Sequence, residues 1–263
     1  MFEPMSDDAA TDVVLVEEAG AVRTVTLNRP ERRNALNVPL LDGLRALFRR
    51  EPPAEERVTV IRASGPAFCS GMDLKERESN GTATSSEAIE TMLDAIAHYP
   101  LPVVGVVHGD AIAGGNELAL HCDLVVAAES ARFGMSLAQI GLAPSWFLAK
   151  RILEVGGPVF AREMLLLGDP VTSGRMADLG LILRAVPDSE LEAEATRIID
   201  RLAANAPLSL RAMKGVLTRQ MAFRDGIEHD AVDALVEMAR LSQDAKEGIA
   251  ARLERRSAEF KGT

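Results

Sequence analysis

Val103-Val104-Gly105-Val106-Val107, followed shortly by Ala111-Ile112-Ala113-Gly114-Gly115-Asn116-Glu117-Leu118, is the stretch on which the fold turns. Its first part is a short, wholly apolar run, the pattern of a strand in a sheet covered on both faces. Its second part is a glycine pair that opens a helix continuing to about His121. A further apolar run at Leu124–Ala127 follows. This strand–turn–helix order predicts a layered α/β core. Without Cβ atoms, Gly114 and Gly115 let a ligand carbonyl approach the backbone closely. The first N–H groups of a helix have no partner within it and carry the positive end of its dipole. The turn therefore suits either a developing oxyanion or simply close packing of helix on strand. Glu117 lies in the first turn, where the dipole alone favours a carboxylate. The apolar Leu118-Ala119-Leu120 after it predict desolvation, which raises a carboxyl toward the range of a general base.

Working outward, Val13–Val16 and Val22–Leu27 alternate around Ala19-Gly20 and predict a β-hairpin. Leu40, Leu41, Leu44 and Leu47 place one apolar face on a helix from about Val38 to Arg50. Val58–Ile61 reads as a short buried strand, and polar Lys75–Ser86 as a mobile loop. A helix from about Glu87 to His98 is stopped by Pro100 and Pro102. From Asp188 onward the pattern is almost purely helical, ending in a helix from about Asp244 to Phe260. Its apolar stripes (Leu191, Ala195, Ile198, Leu202; then Leu210, Met213, Leu217; then Val232, Leu235, Ala239) must cover either the chain's own core or a neighbouring subunit.

The formal net charge of −10 argues against nucleic acid or an anionic membrane as the main partner. A local cluster of Arg and N–H groups can still hold an anionic ligand. Cys69 and Cys122, the only cysteines, have neither metal-ligand nor disulfide spacing and read as free thiols in a reducing cytosol. No apolar run approaches the roughly 20 residues of a membrane span. Met1–Asp12 shows no signal pattern and reads as a frayed terminus, so a cytoplasmic location is expected. His98, His121 and His229 offer no triad or metal spacing, and His108, beside the glycine turn, reads as structural.

A second glycine loop, Phe68-Cys69-Ser70-Gly71-Met72-Asp73, also follows a buried strand, and its Ser70 N–H is a candidate second donor to an oxyanion. Together with Asn28-Arg29-Pro30-Glu31-Arg32-Arg33-Asn34-Ala35-Leu36, Gly114–Leu124 and Ala128-Glu129-Ser130-Ala131-Arg132-Phe133-Gly134, these motifs resemble the crotonase (enoyl-CoA hydratase/isomerase) superfamily over nearly the whole chain. The resemblance implies an α/β fold, a spiral of ββα units over residues 1–200, and a helical trimerisation region over 201–263. It implies an acyl-CoA thioester ligand, with no cofactor beyond the coenzyme A of that substrate, in a homotrimer or dimer of trimers. By position, the N–H groups of Ser70 and Gly114 form the oxyanion hole, and Glu117 is the acid/base. Arg32, Asn34, Ala35 and Leu36, with Phe68, Gly71 and Asp73, hold the substrate. Phe260 and Lys261 match a pair that in relatives reaches a neighbouring subunit's coenzyme A.

The chain departs from the family pattern where a second glutamate is due. In hydratases it stands four residues after the Phe of the Phe-Gly pair, which here is Leu137. Some isomerases carry an acid after the Gly-Leu turn, where this chain has Ser145. Asp73 and Gln139 are the nearest polar alternatives, Gln139 being expected at solvent or on backbone. Trp146 and Phe147 either narrow the acyl pocket or belong to the core. Hydration of a 2-enoyl-CoA is the family default and the first reading, although a single carboxyl fits an isomerase better than a hydratase. The alternatives are a non-catalytic acyl-CoA-binding homologue and other thioester chemistry such as hydrolysis or decarboxylation.

Overall fold

A computed structural model of the chain describes residues 13–76 and 82–263. The alternating segments around Gly20 form the hairpin β1 (Val14–Ala19) and β2 (Val22–Leu27), followed by α1 (Val38–Phe48), β3 (Val58–Ala63) and α2 (Thr82–Ala97). Next come β4 (Val103–Val107), β5 (Ala111–Ile112), α3 (Gly114–His121), β6 (Leu124–Ala128) and β7 (Arg132–Gly134). The remaining regular elements are α4 (Trp146–Arg162), β8 (Val171–Thr172), α5 (Ser173–Asp178), β9 (Arg184–Val186), α6 (Leu191–Ala203), α7 (Pro207–Met221), α8 (Asp230–Leu241) and α9 (Gln243–Glu254).

The main sheet runs β1-β2-β3-β4-β6-β9, and β5-β7-β8 form a second, smaller sheet. Only the β1–β2 pair of the main sheet is antiparallel. Register places Val60 beside Val104 and Val106 beside Val126. Because strand side chains alternate faces, Val58, Val60, Val104, Val106 and Val126 pack on Leu191, Ala195 and Ile198 of α6. Ile61, Val103, Val107 and Val125 join the opposite core with Leu40, Leu44, Met92, Leu93 and Leu118. The valine run is thus covered on both faces, as its composition predicts. Within the second core Arg23 ion-pairs with Glu56 at 3.4 Å, and the Tyr99 hydroxyl donates to Glu56 at 2.9 Å.

The structure moves several boundaries. Helix α1 ends at Phe48 and α9 at Glu254. Arg255 takes a left-handed conformation, φ 58°, so the chain leaves the helix well before Phe260. Thr82–Ser86, expected in a mobile loop, belong to α2. The buried face of Ile89, Met92, Leu93 and Ile96 anchors that helix, and tertiary packing outweighs weak local propensity at its start. Lys75 and Glu76, at the start of that loop, are helical; 77–81 and Met1–Asp12 lie outside the described residues. The smaller sheet was not legible, because strands of two or three residues carry no periodicity.

The helical stripes divide in two. Leu191, Ala195 and Ile198 are buried on the chain's own sheet, so the expected boundary at residue 200 cuts through α6, a core helix. Met213, Leu217, Leu235 and Met238 of α7 and α8 are instead exposed. No helix among the described residues is long and apolar enough to cross a membrane.

Candidate active site

The two glycine segments meet edge to edge. The Cys69 N–H donates to the Asp110 carbonyl at 3.1 Å, and the Ile112 N–H donates to the Cys69 carbonyl at 2.9 Å. A Cβ on Gly115 would stand 2.7 Å from the Cys69 carbonyl carbon. Only glycine therefore lets the first turn of α3 seat against this loop. Cys69 itself is fully buried, and burial pushes its thiol up to about 12.

This contact decides which amides are free. The Ser70 N–H donates to the Arg33 carbonyl at 3.0 Å, so it is not available to a ligand, contrary to the sequence reading. The Gly71 carbonyl accepts from the Leu36 N–H at 2.8 Å. A trans peptide places its N–H opposite its C=O, so the Met72 N–H points away from Leu36. Met72 and Gly114 both line the main cavity, and neither N–H finds a partner among the described residues. Met72 and Gly114 thus present unpartnered amides to the cavity. The signal missed in the sequence was Gly71, whose positive φ of 89° turns the following peptide around.

Glu117 lies one turn into α3 and is 0% exposed. Neither carboxyl oxygen has a hydrogen-bond partner. Desolvation raises its pKa well above the usual carboxylate range, against a smaller opposing effect of Arg151. His121, 3.7 Å from it, is lowered to about 3, again chiefly by burial. His121 is therefore neutral near pH 7, and its proximity to Glu117 is not an ion pair. The ring Nδ1 of His121 lies 2.7 Å from the Glu117 backbone carbonyl and, neutral, donates to it. Glu117 does not line the cavity, and its side chain is fully buried.

A family model described as enoyl-CoA hydratase/isomerase matches residues 17–263. The chain belongs to that family. It is 34% identical over 259 residues to a probable enoyl-CoA hydratase of Rhodobacter capsulatus, covering 94% of this chain and 96% of that protein. It is 31% identical over 253 residues to the 2,3-dehydroadipyl-CoA hydratase of Escherichia coli, covering 95% and 98%. A crystal structure of an enoyl-CoA hydratase from Mycobacterium avium subsp. paratuberculosis superposes with a TM-score of 0.84 at 28% identity, covering 95% and 98%. The mixed α/β fold is accordingly that of the enoyl-CoA hydratase/isomerase (crotonase) family.

The residues that the family resemblance singled out fall into three groups. Arg32, Ala35, Ser70, Asp73, Gly114 and Leu137 line a cavity of about 650 Å³ together with Arg33 of the expected Arg32–Leu36 segment, joined by Lys75, Leu142, Leu148, Arg240 and Arg252, which the sequence reading missed. Asn34, Leu36 and Phe68 are fully buried and build the site rather than line it. The Asn34 amide donates to the Ser64 and Ala67 carbonyls at 2.7 and 2.9 Å, and its oxygen accepts from the Arg29 N–H at 2.8 Å. Gly71 serves through its carbonyl. Asp73 ion-pairs with Arg29 at 3.2 Å, and His108 bonds the Gly65 carbonyl at 2.8 Å, the structural part expected of it. Gln139 donates to the Leu167 carbonyl at 3.1 Å, also as expected.

Ser145 and Trp146 face a neighbouring recess instead. The Trp146 ring stacks on His229 at 4.7 Å, and the Ser145 hydroxyl accepts from the Leu148 N–H, capping α4. Phe260 and Lys261 do not line this chain's own cavity. Ser145→Ala is expected to remove the cap and lower stability by about 1 kcal/mol, while leaving turnover of enoyl-CoA esters unchanged. Chemical unfolding and steady-state kinetics on one preparation check both halves.

Proposed function

We propose that the cavity holds an acyl-CoA thioester and stabilises its enolate through the Met72 and Gly114 N–H groups. The observation that carries this reading is those two unpartnered amides on one cavity wall. Two fixed donors at a forming oxyanion act in the transition state more than in the ground state, which is the condition for catalysis. The cationic lining by Arg32, Arg33 and Lys75 suits the phosphates of coenzyme A on a chain that is otherwise acidic.

Glu117 supplies the proton transfer. A buried carboxyl with two unsatisfied oxygens is a costly arrangement. It reaches the ligand only by turning into the cavity. In isomerisation of a 3-enoyl thioester the ionised carboxyl takes a proton from C2, and the electron pair moves to the thioester oxygen. The same group then returns the proton at C4, leaving the double bond between C2 and C3. Hydration needs a second group to position water, and Leu137 cannot do so. Double-bond migration is therefore the favoured reaction. The buried carboxyl also supports a second reading, an acyl-CoA-binding protein without turnover. We further propose that the exposed apolar faces of α7 and α8 are covered in a homotrimer, and that the buried thiols fit a reducing cytoplasm.

Crotonyl-CoA and a 3-enoyl-CoA, followed side by side, test these readings. Faster conversion of the 3-enoyl ester supports isomerisation, and Leu137→Glu is expected to raise hydration of crotonyl-CoA about tenfold or more. Tight ester binding with no turnover of either favours the binding protein. Faster crotonyl-CoA hydration by the unaltered chain would overturn the preference.

A further inference from the structure

The C-terminal helices contribute to the lining of the cavity. Arg240, in α8, and Arg252, in α9, both line it. The Arg240 Nε is buried with no hydrogen-bond partner, and its guanidinium forms no ion pair among the described residues. Arg252 has one long contact, donating to the Ser136 hydroxyl at 3.4 Å. Arg240 also borders the adjoining recess with Glu90, Asp94, Asp225, Asp233 and Glu237; Asp94 contacts His98 and Asp225 pairs with Lys150, while Glu90 and Glu237 do not bond Arg240. Asp73 is bound to Arg29 at 3.2 Å, and Asp233 of the adjoining recess is held by His229 at 2.7 Å.

Helix α9 is held tightly enough to fix this arrangement. A Cβ on Gly248 would stand 2.6 Å from the Ile140 Cα, so α9 lies directly on the turn that carries Ser136 and Leu137. A partly desolvated guanidinium without a counter-charge is unfavourable unless a ligand supplies one. Guanidinium groups match carboxylates in a bidentate fork.

We infer that the acyl group of the substrate carries a carboxylate, so that the chain acts on the mono-CoA thioester of a dicarboxylic acid. Arg240 binds the free carboxylate, and Arg252 assists it. The wall with Leu137, not the loop with Arg32 and Lys75, holds this charge, which separates it from the coenzyme phosphates. The inference rests on the CoA-thioester reading above.

Calorimetric binding of unreactive saturated esters tests it, using butyryl-CoA, succinyl-CoA, glutaryl-CoA and adipyl-CoA with free coenzyme A as reference. At least one dicarboxylic ester is expected to bind about tenfold or more tighter than butyryl-CoA. Arg240→Met is expected to bring that ratio to about one, and Arg252→Gln to reduce it partially, so the test survives if one variant fails to fold. Equal binding of all esters by the unaltered chain overturns the inference alone. So does an Arg240→Met variant that weakens butyryl-CoA and dicarboxylic esters alike, because the arginine then serves the coenzyme or the fold. Failure of every ester and of free coenzyme A to bind overturns the CoA reading itself, and this inference with it.

Discussion

Gly115→Ala is expected to cost about 3 kcal/mol of stability and to lower turnover about a hundredfold or more. The added methyl meets backbone, with the Cys69 carbonyl carbon 2.7 Å away, and backbone cannot rotate aside as a side chain can. To relieve the clash, the first turn of α3 must lift from the Cys69–Met72 loop. That movement separates the Gly114 and Met72 amides, the two donors proposed for the thioester oxygen. Urea unfolding reports the first effect and steady-state kinetics the second. An alanine variant with unchanged unfolding and turnover would show that the close approach of helix and loop is not needed.

Glu117→Gln is expected to have opposite effects on stability and activity. Turnover should fall about a thousandfold, the usual span for removing a general acid/base, with little change in ester affinity. Stability should rise at neutral pH. In the unfolded chain the Glu117 carboxyl loses its proton near pH 4.5, whereas in the fold desolvation holds the pKa well above that value. Between the two pKa values the unfolded state binds fewer protons, so folding stability falls as pH rises, by about 1.4 kcal/mol per pH unit for this one group. Glutamine carries no such proton. The variant's advantage should therefore be negligible near pH 4 and grow as pH rises above 4.5, as read from unfolding across a pH series. A gap that does not change with pH would mean that the carboxyl is ionised in the fold.

How far the fold was legible depended on the length of each pattern. The valine run of β4, the hairpin around Gly20 and the stripe of α6 each span enough residues for periodicity to identify both element and face. The smaller sheet does not. The site was legible as a pair of glycine segments, because glycine marks close approach, but not in its atomic detail. The oxyanion donor was assigned to Ser70, whose N–H in fact donates to Arg33. Peptide direction depends on the positive φ of Gly71, which the glycine permits but which becomes visible only in the folded loop. Asn34 and Phe68 illustrate a related difficulty. They belong to the motif because they hold the loop in shape, and motif membership does not separate holding from touching. Arg240 and Arg252 were not anticipated at all, since only tertiary packing brings α8 and α9 onto the cavity.

The buried Cys69 thiol has a consequence for the durability of the site. It sits in the loop immediately before the donor amide of Met72, where oxidation to a sulfinic acid would insert bulk and charge between loop and helix. The thiolate is the species that reacts with peroxides and electrophiles. With its pKa pushed up to about 12 and no exposed surface, Cys69 offers almost none at neutral pH. The packing that aligns the two amides thus also shields them from oxidants, and that shielding lasts only as long as α3 stays seated.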